Sequence, residues 1–418
     1  MSVLLFHPSV APFVQHAAAA LHEAGQLDRF VTTVRDDPDS ILQRAAGHLS
    51  AVLGGDLRSR FRRRAVTEVP ADKVESRPWG ELLRLSASMI DIDGRLTDLV
   101  WEWAETGFDR GVAARLPPGL TGVYGFEHSS LATFRRARQL GLRVAYDVPA
   151  PEAGFVKQLL DREMERFPEL RTNYDRHTDK RDPRRIARRH EEWKCADVVI
   201  TASRFTRDSY AAAGLDVGKA KIVPYGAPPV VATSADMPAT ERPTFVCAGT
   251  FSIRKGAHYL LDAWRQGNLG RHARLLVFGA VALPERVLRP LPDGVELRGS
   301  IPRDALLGEM HRADALVFPT LCDGFGMVAT EAWACGLPVI TTDRAGASDQ
   351  LRHEENGLLI RAGDTTAIRE ALEWCLVQRP RLRAMREAAA ATAAHWQWSD
   401  YRRALATALR ETGFFDKP

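Results

Sequence analysis

Short apolar runs alternate with amphipathic segments along most of the chain. The first run, SVLLFH, is followed by FVQHAAAALHEAG, where apolar positions recur at helical spacing, and then by a second run, DRFVTTV. Short apolar runs predict buried strands, and Gly25 is a suitable end for the helix between them. This order predicts a β-α-β unit, the opening of a doubly wound parallel sheet.

The same alternation continues through the first half of the chain. Further strands are predicted in TGVYGFE, LRVAYDVP, ADVVITAS and AKIVPYG, with helices between them. Residues 35–100 are less regular, and we expect helices there that flank the sheet. The charged segment 161–192 predicts a helix that is interrupted at Pro168 and at Pro183.

A second alternation follows a segment without periodicity. Residues 227–243 are rich in Pro, Ala, Ser and Thr and predict a linker. After it, strands are predicted in TFVCAGT, ARLLVFGA, VELRGSI, DALVFPT, LPVITTD and GLLIRAGD. Helices separate them, with Pro302 predicted in the first turn of one, and Asp364 or Thr365 placed to cap another.

Together these patterns predict an α/β protein built from two tandem Rossmann-like, doubly wound domains. Residues 1–226 form the first domain and residues 244–396 the second, while a helix in residues 397–418 crosses back to the first. Ligands of such sheets bind at the carboxyl ends of the strands, which here face the cleft between the domains.

Composition narrows the classes of function. A net charge of +4 over 418 residues is too mild to predict a nucleic-acid partner. The five cysteines are scattered, so they predict neither a zinc site nor a disulfide framework, and they favour a reducing cytoplasm. The N-terminus does not resemble a signal peptide, and the longest apolar segment, LLVFGAVALP, is too short to cross a bilayer. Any membrane contact would be peripheral, at the inner face of the membrane.

A basic run, Arg58–Arg64, has two interpretations. The first is a solvated helix face. The second is a contact with anionic lipid or with a lipid-diphosphate acceptor.

Candidate chemistry concentrates in the segment TLCDGFGMVATEAWACGLPVITTD. Its loop follows a predicted strand, and Gly324 and Gly326 allow a ligand to approach the backbone closely. The helix predicted to start near Met327 directs free amides at the loop, which suits a diphosphate. A carboxylate one turn into the helix, Glu331, suits the paired hydroxyls of a ribose, and Asp323 suits a sugar. The alternative is an ordinary turn with two surface acids.

This segment resembles the signature of the family 4 retaining glycosyltransferases, which have the two-domain GT-B fold. The family motif usually carries Glu at both acidic positions, whereas this chain has Asp323 at the first. The resemblance implies that the first acid contacts the donor sugar and that Glu331 holds the ribose. The segment CAGTFSIRKGAHYLLDAW resembles the strand, loop and helix that open the second domain of the family. There the resemblance implies that Lys255 binds the donor diphosphate, with Arg254 supplying the second charge because Thr250 follows Gly249. The resemblance implies this donor-binding set: Gly249, Thr250, Arg254, Lys255, Asp323, Gly324, Phe325, Gly326, Met327, Val328 and Glu331.

The acceptor half of the site is less defined by the sequence. Relatives often place a catalytic His after a middle strand, where this chain has Asp147, and His128 ends the preceding strand. We therefore include Asp147 and His128 with Asp323, Lys255 and Arg254 as candidate catalytic residues. No nucleophile is evident, so we expect front-side attack in which the donor phosphate helps to take the acceptor proton.

The leading hypothesis is a retaining glycosyltransferase that uses a UDP- or GDP-sugar, with a glycan, lipid-linked or small-molecule acceptor and a role in polysaccharide biosynthesis. No cofactor is required, since the cations Arg254 and Lys255 take the place of a metal. Two alternatives remain open: a nucleotide-sugar epimerase on the same fold, and a non-catalytic homologue that binds nucleotide.

Overall fold

The computed structural model describes most of the chain. The described residues are 2–36, 64–78, 80–81, 83–84, 91, 94–231 and 242–416. Most of the flanking helices predicted in residues 35–100 lie outside them, as do residues 58–63 of the basic run and 232–241 of the linker.

The first sheet is wholly parallel, and its described strands run in the order β3-β2-β1-β4-β5-β6-β7. Its central strands are buried along their length, as expected when helices cover both faces of a parallel sheet. The strand order reverses between β1 and β4, so a crevice opens at their carboxyl ends. The strands are β1 (Val3–Phe6), β2 (Leu27–Thr32), β3 (Val74–Ser76), β4 (Gly122–Phe126), β5 (Arg143–Val148), β6 (Val198–Thr201) and β7 (Ala220–Ile222).

The second sheet is also parallel and has the described order β10-β9-β8-β11-β12-β13. Here the order reverses between β8 and β11, which places a second crevice at the carboxyl ends of those strands. The strands are β8 (Thr244–Ala248), β9 (Arg274–Phe278), β10 (Val295–Gly299), β11 (Ala315–Phe318), β12 (Val339–Thr342) and β13 (Gly357–Ile360).

Helices connect the strands of both sheets. In the first half of the described chain they are α1 (Pro12–Glu23), α2 (Arg95–Ala113), α3 (Leu131–Gln139), α4 (Ala153–Arg166), α5 (Asn173–Asp179), α6 (Asp182–Cys195) and α7 (Arg204–Ala212). In the second half they are α8 (Ala257–Gln266), α9 (Glu285–Leu288), α10 (Arg303–Arg312), α11 (Met327–Ala334), α12 (Thr365–Val377), α13 (Arg379–His395) and α14 (Trp398–Glu411).

The last helix packs against the first helix of the chain. The ring of His16 in α1 stacks on Trp398 at the start of α14, with centroids 4.2 Å apart. Arg402 of α14 forms an ion pair with Glu23 at 2.8 Å. The chain therefore returns from the second sheet to the first, as the sequence predicted.

The two halves also touch beside α4 and α8. Glu163 of α4 accepts a hydrogen bond from the Tyr259 hydroxyl of α8 at 2.8 Å, and Arg166 donates to the same hydroxyl at 3.1 Å. The sheets are thus joined on both sides of the cleft.

The predicted interruption at Pro183 is confirmed, because α5 ends at Asp179 and Pro183 lies in the first turn of α6, where its missing N–H would have no helical partner. One detail of the sequence prediction is wrong. Pro302 is the N-cap of α10 and not a first-turn residue. The strand β3 was not predicted, since three residues at a sheet edge are too few to show a period. The interruption at Pro168 and the cap by Asp364, which accepts from the Ala367 amide at 3.0 Å, are confirmed.

No helix in the described part of the chain is both long and apolar enough to cross a membrane.

Candidate functional site

Residues 319–326, which carry Asp323, form a loop that we call the acidic loop. It leaves the carboxyl end of β11 and enters α11 at Met327. Gly326 caps this helix in the left-handed region, with a φ of 84°, and a Cβ there would lie 2.6 Å from the Phe318 ring. The first amides of α11, those of Met327 and Val328, have no partner within the helix. This helix end, predicted from the sequence, therefore points polar donors at the carboxyl edge of the second sheet.

Lys255 and Asp323 meet at this edge, although they are far apart in the chain. The Lys255 ammonium bonds the Asp323 carboxylate and lies 5.0 Å from the centre of the Phe318 ring. Gly256 makes this possible, because it has a φ of 70° and a Cβ would come within 2.0 Å of the Pro319 carbonyl oxygen. The loop after β8 carries Arg254 and Lys255, and we call it the cationic loop. Only glycine at position 256 lets it pack so closely on the acidic loop.

The electrostatics of Lys255 are balanced between opposing effects. Burial and the neighbouring Arg254 lower the pKa of Lys255 to about 7. The carboxylate of Asp323 acts in the opposite direction, because it stabilises the charged amine. A second anion at this position, such as a diphosphate, would favour the charged form further.

Open space remains beside the end of β8. A Cβ on Gly249 would meet no atom within 4 Å, and both Gly249 and Thr250 are exposed. Arg254 is half-buried, and its carbonyl oxygen accepts hydrogen bonds from the Leu321 amide at 2.9 Å and from the Thr320 hydroxyl at 3.1 Å. The two loops are therefore fastened to each other by their backbones.

Gly324 lies where the two halves of the chain meet, and its predicted contact with a donor stays a prediction. A Cβ there would come within 1.9 Å of the Pro149 carbonyl oxygen, so the backbone of the first half occupies the space. The Gly324 carbonyl also accepts hydrogen bonds from the hydroxyls of Ser203 at 2.6 Å and Thr206 at 3.0 Å. Phe325 is buried against Tyr225, with ring centroids 5.3 Å apart. This part of the loop holds the two halves together.

Glu331 lies one turn into α11, as predicted. Its carboxylate is bonded by Arg303 at the start of α10, with Nε at 2.9 Å from Oε1. Burial raises the pKa of Glu331, and Arg303 opposes that rise. Glu331, the residue predicted to bind the ribose, is therefore held by Arg303 of the neighbouring helix.

A pocket of about 860 Å³ opens on the first sheet. It lies between the loop after β1, which includes His7, and the end of β4 at Glu127. Its lining residues are His7, Pro8, Ser9, Val10, Ala11, Pro12, Val34, Arg64, Glu81, Arg84, Trp101, Glu105 and Glu127. The described residue of the basic run, Arg64, forms an ion pair with Glu81 in this wall.

Glu127 is a candidate that the sequence reasoning missed. It directly follows β4, its backbone amide donates to the Asp147 carbonyl at 3.1 Å, and its side chain lies 2.5 Å from Arg189 of α6. Burial raises the pKa of Glu127, while the charges of Arg189 and of Arg254 lower it. Arg254 of the second sheet is thus close enough for its charge to act on this carboxylate. Its position at the carboxyl end of a central strand was the available signal.

His128 lies beside Glu127 but is turned into the protein. Its ring stacks on Trp101 at a centroid distance of 4.7 Å, and both ring nitrogens are buried without a hydrogen-bond partner. Burial, followed by the charges of Arg189, Arg188 and Arg185, lowers the pKa of His128 to about 2. The structure does not bring this side chain to Lys255 and Asp323.

Asp147 is also buried, at the end of β5. It accepts a hydrogen bond from the Tyr124 hydroxyl at 2.7 Å, and burial raises its pKa to about 7. Tyr225 and Tyr401 are close enough for the carboxylate to raise their pKa values. Asp147 therefore belongs to a buried cluster with three tyrosines and is not exposed to the pocket.

Within the described part of the chain, no cluster of three His, Cys, Asp or Glu side chains is arranged to hold a metal ion. The charges of Arg254, Lys255 and Arg344 all act on the thiol of Cys322 in the acidic loop.

Two doubly wound parallel sheets that face one cleft, with a last helix returning to the first sheet, define the GT-B fold. Solved structures agree. Sucrose-phosphate synthase from Thermosynechococcus elongatus superposes with a TM-score of 0.65 over 98% of each chain at 19% identity. Anabaena HepE in complex with UDP-glucose gives a TM-score of 0.59 at 15% identity, over 98% of this chain and all (100%) of that one.

Residues 242–378 match the model of the family described as glycosyl transferases group 1. The resemblance to family 4 glycosyltransferases is thereby confirmed. The GDP-mannose-dependent alpha-(1-6)-phosphatidylinositol monomannoside mannosyltransferase of Mycobacterium tuberculosis is 30% identical over 241 residues, 51% of this chain and 62% of the relative. The D-inositol 3-phosphate glycosyltransferase of Nocardia farcinica is 38% identical over 98 residues, 23% of this chain and 22% of the relative. The chain thus spans less than two thirds of the length of these curated relatives.

Proposed function

We propose that the protein is a retaining glycosyltransferase that moves a sugar from a nucleoside-diphosphate sugar to an acceptor hydroxyl. The observation that carries this proposal is the contact of Lys255 with Asp323 beside the N-terminus of α11. A cation, a carboxylate and free helix amides at one sheet edge suit the three parts of such a donor. The names of the relatives favour neither an epimerase nor a non-catalytic protein.

The donor would lie along the carboxyl edge of the second sheet. Its diphosphate takes the charges of Lys255 and Arg254 and the amides of Met327 and Val328. Its ribose takes Glu331, and its sugar takes Asp323 after the diphosphate has drawn Lys255 away. The open space beside Gly249 and Thr250 leaves room for the diphosphate to approach.

The chemistry follows from where charge develops. The bond between the anomeric carbon and the diphosphate oxygen breaks, and its electrons pass to the diphosphate. Lys255 and Arg254 stabilise this growing negative charge, which lowers the barrier. The acceptor oxygen bonds the same face of the anomeric carbon, and its proton goes to the departing diphosphate. The configuration is therefore retained without a covalent intermediate.

The acceptor would enter through the pocket on the first sheet. Glu127 lines this pocket and has the chemistry to accept a hydrogen bond from the acceptor hydroxyl. The relatives' names concern phosphatidylinositol mannoside and inositol 3-phosphate, so inositol, its phosphates and mannosides are acceptors to try first. We also propose that the protein is cytoplasmic and that the basic run contacts anionic lipid.

A donor panel tests the proposal. Purified protein is incubated with GDP-mannose, GDP, UDP-glucose and UDP, and thermal stabilisation and nucleoside-diphosphate release are measured with and without the acceptors above. We expect one base to stabilise the protein by mass action and the matching sugar nucleotide to turn over. Proton NMR of the product should show the anomeric configuration of the donor.

Variants give this test its control. Lys255→Ala and Glu331→Ala should lose turnover by about a hundredfold or more, as expected when a preorganised charge is removed. Lys194→Ala, which removes an exposed lysine paired with Glu191 on α6, should retain it. No stabilisation by any nucleotide, or equal activity in all three variants, would rule the proposal out.

A further inference from the structure

Arg303 contacts only one of the two carboxylate oxygens of Glu331. Arg303 places both Nε and Nη2 at 2.9 Å from the same oxygen, Oε1 of Glu331. Among the described residues, no side chain or amide donates to Oε2. One oxygen of Glu331 is therefore fixed by the protein, and the other remains available as an acceptor.

The two partners also differ in exposure. The Glu331 side chain is 17% exposed and the Arg303 side chain 47%. Arg303 is close enough to His16 of α1 for its charge to lower the pKa of that histidine, so it lies where the two halves of the chain approach each other. The carboxylate is thus buried under a cation that water and a ligand can reach.

Arg303 also favours the charged form of the buried carboxylate. Burial raises the pKa of Glu331, and the charge and hydrogen bond of Arg303 lower it. The other ionisable groups nearby are less helpful. Cys335, directly after α11, has a pKa raised to about 11 and is neutral, and Arg386 of α13 donates a hydrogen bond to the Cys335 carbonyl oxygen at 3.4 Å. His16 is neutral as well, with a pKa lowered to about 3.

We infer that Arg303 is a positioning residue for the donor ribose. It holds Oε1 of Glu331, so that Oε2 is presented to the ribose hydroxyls. This inference rests on the proposed role of Glu331. It differs from a blocking role, in which Arg303 would occupy the ribose site and have to leave before a nucleotide binds.

Nucleotides with and without the 2′-hydroxyl isolate the ribose contact. Calorimetric titration compares GDP with 2′-deoxy-GDP, and UDP with 2′-deoxy-UDP, on the unmodified protein, Glu331→Gln and Arg303→Met. In the unmodified protein we expect the ribonucleotide of the preferred base to bind about tenfold more tightly, as a hydrogen bond to a charged acceptor allows. In both variants this ratio should fall towards one.

The pH dependence separates positioning from simple structural support. Without Arg303 the pKa of Glu331 rises further, so its charge is lost at a higher pH. Measured at about pH 6 and about pH 8, the preference for the ribonucleotide in Arg303→Met should be weaker than in the unmodified protein and should be weaker still at the lower pH. Glu331→Gln should show no preference at either pH.

The control stands on the same helix. Arg312 is exposed and pairs with Glu309 at the other end of α10, so Arg312→Met should bind both nucleotides like the unmodified protein. Thermal melting of each variant checks that it is folded.

Each outcome decides the inference. A ribose preference in Arg303→Met equal to that of the unmodified protein at both pH values overturns it, as does tighter binding of the ribonucleotide, which would indicate a blocking role. Failure of every nucleotide to bind the unmodified protein would instead defeat the proposed function, on which the inference rests. Binding with the preference lost only in the variants supports both.

Discussion

The two sides of the cleft are built in different ways. On the second sheet, the acidic loop and the cationic loop are placed by backbone contacts, as the close approach of Gly256 to Pro319 shows. On the first sheet, the pocket lining includes long charged side chains that come from several segments and pair with one another, as Glu81 does with Arg64 and Arg84. Backbone geometry is fixed by a few short motifs, whereas a network of side chains depends on distant parts of the chain.

This difference suggests a division of labour. A donor of constant chemistry, with a diphosphate and a ribose, suits a rigid frame of helix amides and glycine turns. An acceptor that differs between relatives suits side chains on loops, which can change without disturbing the sheet. The variants below test whether the two sides respond as differently as they are built.

The largest effect is expected from Gly256→Ala. The alanine Cβ would overlap the Pro319 carbonyl oxygen at a left-handed position, so the two loops must separate and Lys255 must leave Asp323. We expect turnover to fall by about a thousandfold and stability to fall by about 1–3 kcal/mol. Turnover of the donor and chemical denaturation measure the two effects.

Gly214→Ala is the matched control for this change. Gly214 has a similar φ of 78°, yet a Cβ there would meet no atom within 4 Å. This variant should lose about 1 kcal/mol of stability from the strained backbone and keep its turnover. If Gly256→Ala behaved in the same way, close packing of the loops would not be what places Lys255.

These two sides also explain what the sequence could predict. The donor side was predictable because its residues lie in two short stretches, and because strand, glycine turn and helix fix their geometry locally. The prediction failed to see that Gly324 faces Pro149, since that contact joins positions 175 residues apart (324 − 149). The residues of the pocket on the first sheet could not be predicted in this way, because they come from several distant segments of the chain. Asp147 lies near the end of β5 and His128 two residues after β4, but both side chains are buried, Asp147 against Tyr124 and His128 against Trp101.

A smaller effect is expected from Glu127→Gln. The amide keeps the size of the side chain but loses the charge, and so weakens the hydrogen bond that the acceptor hydroxyl donates. We expect transfer to fall by about a hundredfold while nucleoside-diphosphate affinity stays within a factor of about two. Transfer to the best acceptor of the panel, and titration with the preferred nucleotide, measure these quantities.

Glu191→Gln on α6 is the control, because Glu191 is an exposed acid that pairs with Lys194 and Arg135. It should behave like the unmodified protein in both assays. Loss of nucleotide affinity in Glu127→Gln would place Glu127 on the donor side, and unchanged transfer would remove it from the site.

The smallest effect on transfer is expected from Asp147→Asn, which tests where the acceptor side ends. Asp147 is enclosed by Tyr124, Tyr225 and Tyr401, and an asparagine oxygen can still accept the hydrogen bond from Tyr124. Transfer should therefore stay within about twofold of the unmodified protein.

The stability of the protein should change instead. Burial raises the pKa of Asp147 from 3.8 to about 7 in the folded chain, so the folded state binds a proton that the unfolded state has released. The unmodified protein should then lose stability as the pH rises from about 4 to about 7, by up to about 4 kcal/mol, and Asp147→Asn should lack this part of the decline. Denaturation at several pH values measures it. A large loss of transfer with an unchanged stability profile would mean that Asp147 reaches the substrate, and the boundary between the buried tyrosine cluster and the acceptor pocket would have to be redrawn.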